Sequence, residues 1–124
     1  MNASPVKQRG PESFLWKLMA VCCVLGAFLI PLPAGSPRLD QLYNLSHLLV
    51  FGGLAYFLMR QFPSWGFLRK VAFTLSSVLT IGVGIELIQP YFGRRASFHD
   101  VVNDLIGGVV GITIAAAFRW VRAS

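Results

Sequence analysis

The stretch GVGIELIQPYFGRRASFHDVVNDLIGGVVG, from Gly82 to Gly111, decides how the rest of the chain is read. It joins the end of one apolar run to the start of another across a short turn that carries Arg94 and Arg95. Glu86 lies inside the first run, and Asp100 and Asp104 open the second. Apolar runs of this length seldom carry charge. An ionisable group at membrane depth costs a few kcal/mol or more, and it persists where it faces a partner, a cavity or a ligand. The stretch therefore marks where chemistry or recognition is expected, without saying which.

Outward from it, composition sets the class. Of 124 residues, 55% are hydrophobic and 13% charged, against about a quarter charged in soluble domains. Four apolar runs, about Leu15–Leu32, Asn44–Met59, Val71–Gln89 and Val101–Phe118, approach the ~20 residues that cross a hydrocarbon core. The expectation is an all-α integral membrane four-helix bundle, with residues 1–13 a flexible tail and 14–122 a single transmembrane domain. Membrane β-strands alternate apolar and polar residues over about ten positions, which these runs do not.

The net charge of +6 is dispersed between the runs and forms no stripe, so nucleic acid is not an expected partner. Lys7, Arg9, Lys17, Arg60, Arg69, Lys70, Arg119 and Arg122 fall on one side, against Arg38, Arg94 and Arg95 on the other. The positive-inside rule then puts both termini in the cytoplasm of a multi-pass cell-membrane protein, and turns Tyr91–His99 outward. Pro31 and Pro33 stop the first run, and Pro33–Tyr43 reads as a loop. The basic start and Ala34-Gly35-Ser36 also resemble a signal peptide, whose cleavage would remove the first helix. Cys22 and Cys23 are adjacent and point to different helix faces, so no disulfide follows.

At 100° per residue, Asp100, Asn103, Asp104, Gly107 and Gly111 share an arc of about 100°. Ser97 precedes Asp100 by three residues, the spacing of a capping box. Gly82, Glu86 and Gln89 form a stripe on the third helix, and Asp40, Asn44, His47, Phe51 and Leu54 one on the second. The structural reading of Glu86 is a buried tie to Arg94 or Arg95, kept for folding. The functional reading is a headgroup or proton site. His47 reads either as a packing histidine or as a member of one site with Glu86 and Asp100. No HExxH, EF-hand, CxxC, phosphate loop or GxSxG elbow is present, and neither metal nor cofactor is assigned.

The spacing Glu86-x-x-Gln89, then Arg94-x-x-Ser97-x-x-Asp100-x-x-Asn103-x-x-x-Gly107-x-x-x-Gly111, with Ser46-His47-Leu48 and Tyr56 upstream, resembles the signature of the VanZ-like family. These are small bacterial membrane proteins named for a teicoplanin-resistance protein. Family members often carry Asp-Lys four and three residues before the histidine, where this chain has Tyr43 and Asn44. The resemblance implies an envelope-associated protein linked in some members to glycopeptide resistance. The expected site is His47, Glu86, Gln89, Arg94, Ser97, Asp100 and Asn103, binding membrane lipid through an anionic lipid or cell-wall precursor headgroup. A second expectation is a hydrolase or transferase on a lipid-linked substrate, with Glu86 or His47 as general base. A third is a structural or partner-binding bundle whose glycine faces also suit self-association.

Overall fold

In a computed structural model of the chain, residues 11–30 and 37–124 are described, and they contain four α-helices and no strand. Helix α1 covers Pro11–Ala27, α2 Pro37–Gln61, α3 Phe67–Ile88 and α4 Phe98–Ala123, with a 3-10 turn at Gln89–Phe92 between the last two. Residues 1–10 of the expected tail, the Pro31 and Pro33 stop and the Ala34-Gly35-Ser36 segment lie outside the described residues, and α1 takes in the tail's last three, from Pro11. Helices α2, α3 with its 3-10 extension, and α4 are long and apolar enough to cross a membrane, while α1 is a shorter apolar helix. At most 28% of the 18-residue apolar stretch of any span is buried. Most of that apolar surface therefore faces outward, as in a protein whose solvent is lipid.

Helix α2 starts seven residues before the expected Asn44, so the loop expected over Pro33–Tyr43 does not reach past Pro37. Proline is well placed at a first helical position, where its missing N–H would have no partner anyway. Asp40 in the same turn complements the positive end of the helix dipole.

Helices α2 and α4 run parallel and make the longest contact of the bundle, with α3 antiparallel beside both. The seam is set by glycine. A Cβ on Gly107 would stand 2.4 Å from the Leu48 carbonyl oxygen, and one on Gly111 2.1 Å from that of Gly52. Only glycine permits that approach, and in lipid such close backbone packing replaces the hydrophobic drive. The buried face of α2 repeats every four residues as His47, Phe51, Ala55 and Met59. On α3, Lys70, Thr74, Val78, Gly82 and Glu86 do the same. Helix α1 is set against α2 more loosely, leaving an apolar groove of about 340 Å³ lined by Val21, Leu25, Val50 and Leu54, among others. Just past its end, Phe28 is buried against Phe51 and His47.

Candidate functional site

The parallel α2–α4 seam carries a polar residue from each helix to one level. His47 is fully buried, and its Nδ1–H donates to Asp104 Oδ1 at 2.7 Å. With Asp104 ionised and therefore only accepting, the bond carries the proton on Nδ1, and in the neutral ring Nε2 is then a bare acceptor. Nε2 is buried with no hydrogen-bond partner, and Asp100 Oδ2 stands 4.0 Å away. Aromatic rings wall the imidazole: Phe28 at 4.1 Å between centroids, Tyr43 edge-on at 4.6 Å, and Phe51 parallel at 6.2 Å.

Helix α3 brings the third acid. Glu86 accepts the Ser97 backbone N–H through Oε2. With its nitrogen turned toward Glu86, the Gln89 amide donates to both carboxylate oxygens at 3.2 and 3.1 Å, and its oxygen accepts from the Tyr43 hydroxyl at 2.9 Å. One atom each of His47, Glu86 and Asp100 lies within 4.8 Å of the other two.

The connection that holds these groups depends on one backbone feature. Gly93 closes the 3-10 turn at φ 78°, in the left-handed region that glycine enters without a Cβ penalty. The chain then extends to Ser97, the N-cap residue of α4. The expected capping box does not form as read, because the Ser97 hydroxyl makes no cap hydrogen bond. In a capping box the acid three residues on would take the N-cap N–H. Here Glu86 of α3 takes it instead, so the α4 terminus is tied to α3 and Asp100 is left to face His47.

The expected Glu86–arginine tie is also not formed. Arg94 donates to the Ile30 carbonyl oxygen at 3.0 Å and lies 3.9 Å over the Tyr43 ring, while Arg95 is exposed. Among the described residues, no lysine or arginine pairs with a carboxylate; the close charged contacts are those of His47 with Asp100 and Asp104.

Of the residues expected at the site, His47, Glu86, Gln89 and Asp100 are buried together, Ser97 enters through its backbone, and Arg94 sits at the rim. Asn103 is half-buried without a side-chain hydrogen bond. Asp40 and Asn44, on the stripe drawn with His47, are exposed, as is His99. Two participants were not on the expected list. Asp104 lies one turn beyond Asp100 and Tyr43 one turn before His47, so i±4 spacing from a chosen residue was the signal for both.

The arrangement is a dry histidine oriented by one carboxylate and faced by two more, with an arginine at its edge. It offers an oriented general base, a set of cation ligands and a rim charge for an anion. Residues 6–119 match the VanZ/LLP1 family model, and the chain belongs to that family. No curated protein and no solved structure shows significant similarity to it.

Proposed function

We propose that this VanZ/LLP1-family protein works in the bacterial cell envelope by binding the headgroup of an anionic lipid or lipid-linked cell-wall precursor at the His47–Glu86–Asp100 end of the bundle, and that this binding bears on glycopeptide tolerance. The observation that carries the reading is the state of Arg94. Its guanidinium is held between the Tyr43 ring and the Ile30 carbonyl, with no carboxylate on it among the described residues. The nearby acid has its own donors, because Glu86 takes the Ser97 N–H. Arginine presents five N–H donors and one is engaged here, so phosphate does not have to displace a carboxylate to reach the others. The positive-inside count turns this end outward.

The test uses the full chain in nanodiscs, with phosphatidylglycerol binding measured against phosphatidylcholine. Arg94→Ala lowers the preference for the anionic lipid at unchanged helicity; equal preference in wild type and variant would sink the reading. In cells under glycopeptide challenge, Arg94→Ala and Asp100→Asn lose survival while membrane abundance is kept.

A second reading has its own observation. His47, with Nδ1 on Asp104 and Nε2 bare, is arranged as an oriented general base, which favours hydrolysis or transfer on a lipid-linked substrate. Release of phosphate or fatty acid from lipid, abolished by His47→Gln, is its readout. No turnover across phosphate and acyl esters would remove it and leave binding.

A further inference from the structure

Glu86, Asp100 and Asp104 are each no more than 7% exposed. Among the described residues, none of them has a lysine or arginine partner. Burying carboxylates without a compensating charge is costly, and a hydrogen bond or two offsets only part of that. What faces Asp100 is Nε2 of His47, buried without a hydrogen-bond partner and, in the ring that carries its proton on Nδ1, able to ligate.

We propose that His47, Glu86 and Asp100 hold a divalent transition-metal cation, with Asp104 as the carboxylate that orients the histidine.

The ligand set comes from three helices: nitrogen from α2, oxygen from α3 and oxygen from α4. The three atoms lie within 4.8 Å of one another. Metal–ligand distances of about 2.1 Å put tetrahedral ligands about 3.4 Å apart. The gap to be closed falls to the Glu86 and Asp100 side chains, whose terminal torsions are broad. Two further features fit a metal and go unused by packing alone. The Nδ1–H bond to Asp104 is the second-shell contact that metal-bound histidines make, fixing the tautomer that leaves Nε2 to ligate. The Phe28, Tyr43 and Phe51 rings keep water from the imidazole, which strengthens ion–ligand attraction. One imidazole with two carboxylates suits zinc or manganese better than magnesium or calcium, whose ligands are oxygen. Three protein ligands leave a coordination position open, as catalytic and substrate-binding metal sites do.

This inference is independent of the headgroup reading, because the test contains no lipid headgroup probe. The full chain is purified in detergent with a tag that carries no histidine, loaded with Zn²⁺ or Mn²⁺ alone, and passed through gel filtration. Metal content is then read by mass spectrometry. Wild type and His99→Ala hold about one equivalent. His47→Ala and Asp100→Asn bind at least about 100-fold more weakly, and Asp104→Asn about 10–100-fold more weakly, as for second-shell changes. Because His47→Ala can fail to fold, pulsed electron paramagnetic resonance on Mn²⁺-loaded wild type provides the second readout. Nitrogen coupling to one imidazole is expected, and it persists in His99→Ala. Wild type that retains neither metal, metal that stays bound in both His47→Ala and Asp100→Asn, or manganese without nitrogen coupling would each overturn the proposal.

Discussion

Replacing Gly111 by alanine tests whether the α2–α4 seam sets both stability and site geometry. The new Cβ would lie 2.1 Å from the Gly52 carbonyl oxygen and 2.9 Å from its carbon, and real Cβ atoms do not approach within 3.0 Å. The two nearest atoms are Gly52 backbone and the third is the Ala55 Cβ, so no flexible side chain can swing away. The two helices must part by about 0.9 Å. If α4 retreats as a body, the His47–Asp104 bond opens from 2.7 Å to about 3.6 Å, past hydrogen-bond reach. Overpacking costs about 1–3 kcal/mol, and leaving a buried donor without its acceptor costs about 1–3 kcal/mol more. The expected loss is therefore about 2–6 kcal/mol.

The assay is reversible unfolding in mixed micelles followed by helicity, with the His47 ring proton followed by NMR. Gly53→Ala and Gly84→Ala serve as controls, since a Cβ at either position meets nothing within 4 Å. Those two change stability by no more than ~1 kcal/mol, in the stabilising direction set by helix propensity. If Gly111→Ala unfolds with the controls and keeps the His47 ring signal, the backbone seam does not control the site, and the reasoning fails.

Three smaller changes separate the contributions. Gly82→Ala puts a Cβ 2.6 Å from Asp104 Oδ2, the end of a movable side chain; unfolding should cost less than for Gly111→Ala, while the His47 ring signal moves. Glu86→Gln keeps an oxygen for the Ser97 N–H but removes its charge, so about 1 kcal/mol is lost and hydrogen exchange at the Ser97 amide speeds up about fivefold. Arg94→Ala removes the bond to Ile30 and the cation over Tyr43. These contribute about 1–2 kcal/mol together, so proteolysis after α1 accelerates about 5–30-fold. A protease rate unchanged by Arg94→Ala would mean that this contact does not hold the α1 exit.

Helix number and class were legible because run length and low charge have few other solutions in a chain of this size. Helix starts were less so. Pro37 looks like a breaker in sequence, yet proline breaks a helix only from within, and here it begins one. The glycine groove of α4 was legible from Gly107 and Gly111 at four-residue spacing, but not its partner: Gly52 and Gly53 are neighbours in sequence, and only Gly52 meets α4. At the site, sequence proximity misled. Arg94 and Glu86 are opposite charges eight residues apart, but a backbone amide locked by the α3–α4 turn reaches the carboxylate first. The same competition undid the capping box, since an N-cap amide has one proton and a second helix supplied its acceptor. Asp104 was read onto the polar arc of α4 but not assigned to the site, because its partner His47 lies across the seam, 57 residues away in sequence.

The placement of charge along the bundle bears on what each end recruits. At the end opposite the site, Arg60, Lys70, Arg119 and Arg122 line a cavity of about 410 Å³, and Lys70 is 8% exposed. Among the described residues, no acid pairs with any of them. From Lys70 to Glu86 along α3 is about 24 Å. At that distance the buried Lys70 cannot pair with the buried acids of the other end. The basic end is suited to lie among phosphates at a membrane surface, as the positive-inside bias describes. The acidic end has Arg94 at its rim and, among the described residues, no lysine or arginine in its interior. Phosphate at Arg94 alone would add negative charge beside three carboxyl groups. A divalent ion between His47, Glu86 and Asp100 would offset the charge of the two carboxylates that hold it, and the anionic headgroup would then meet the metal as well as Arg94.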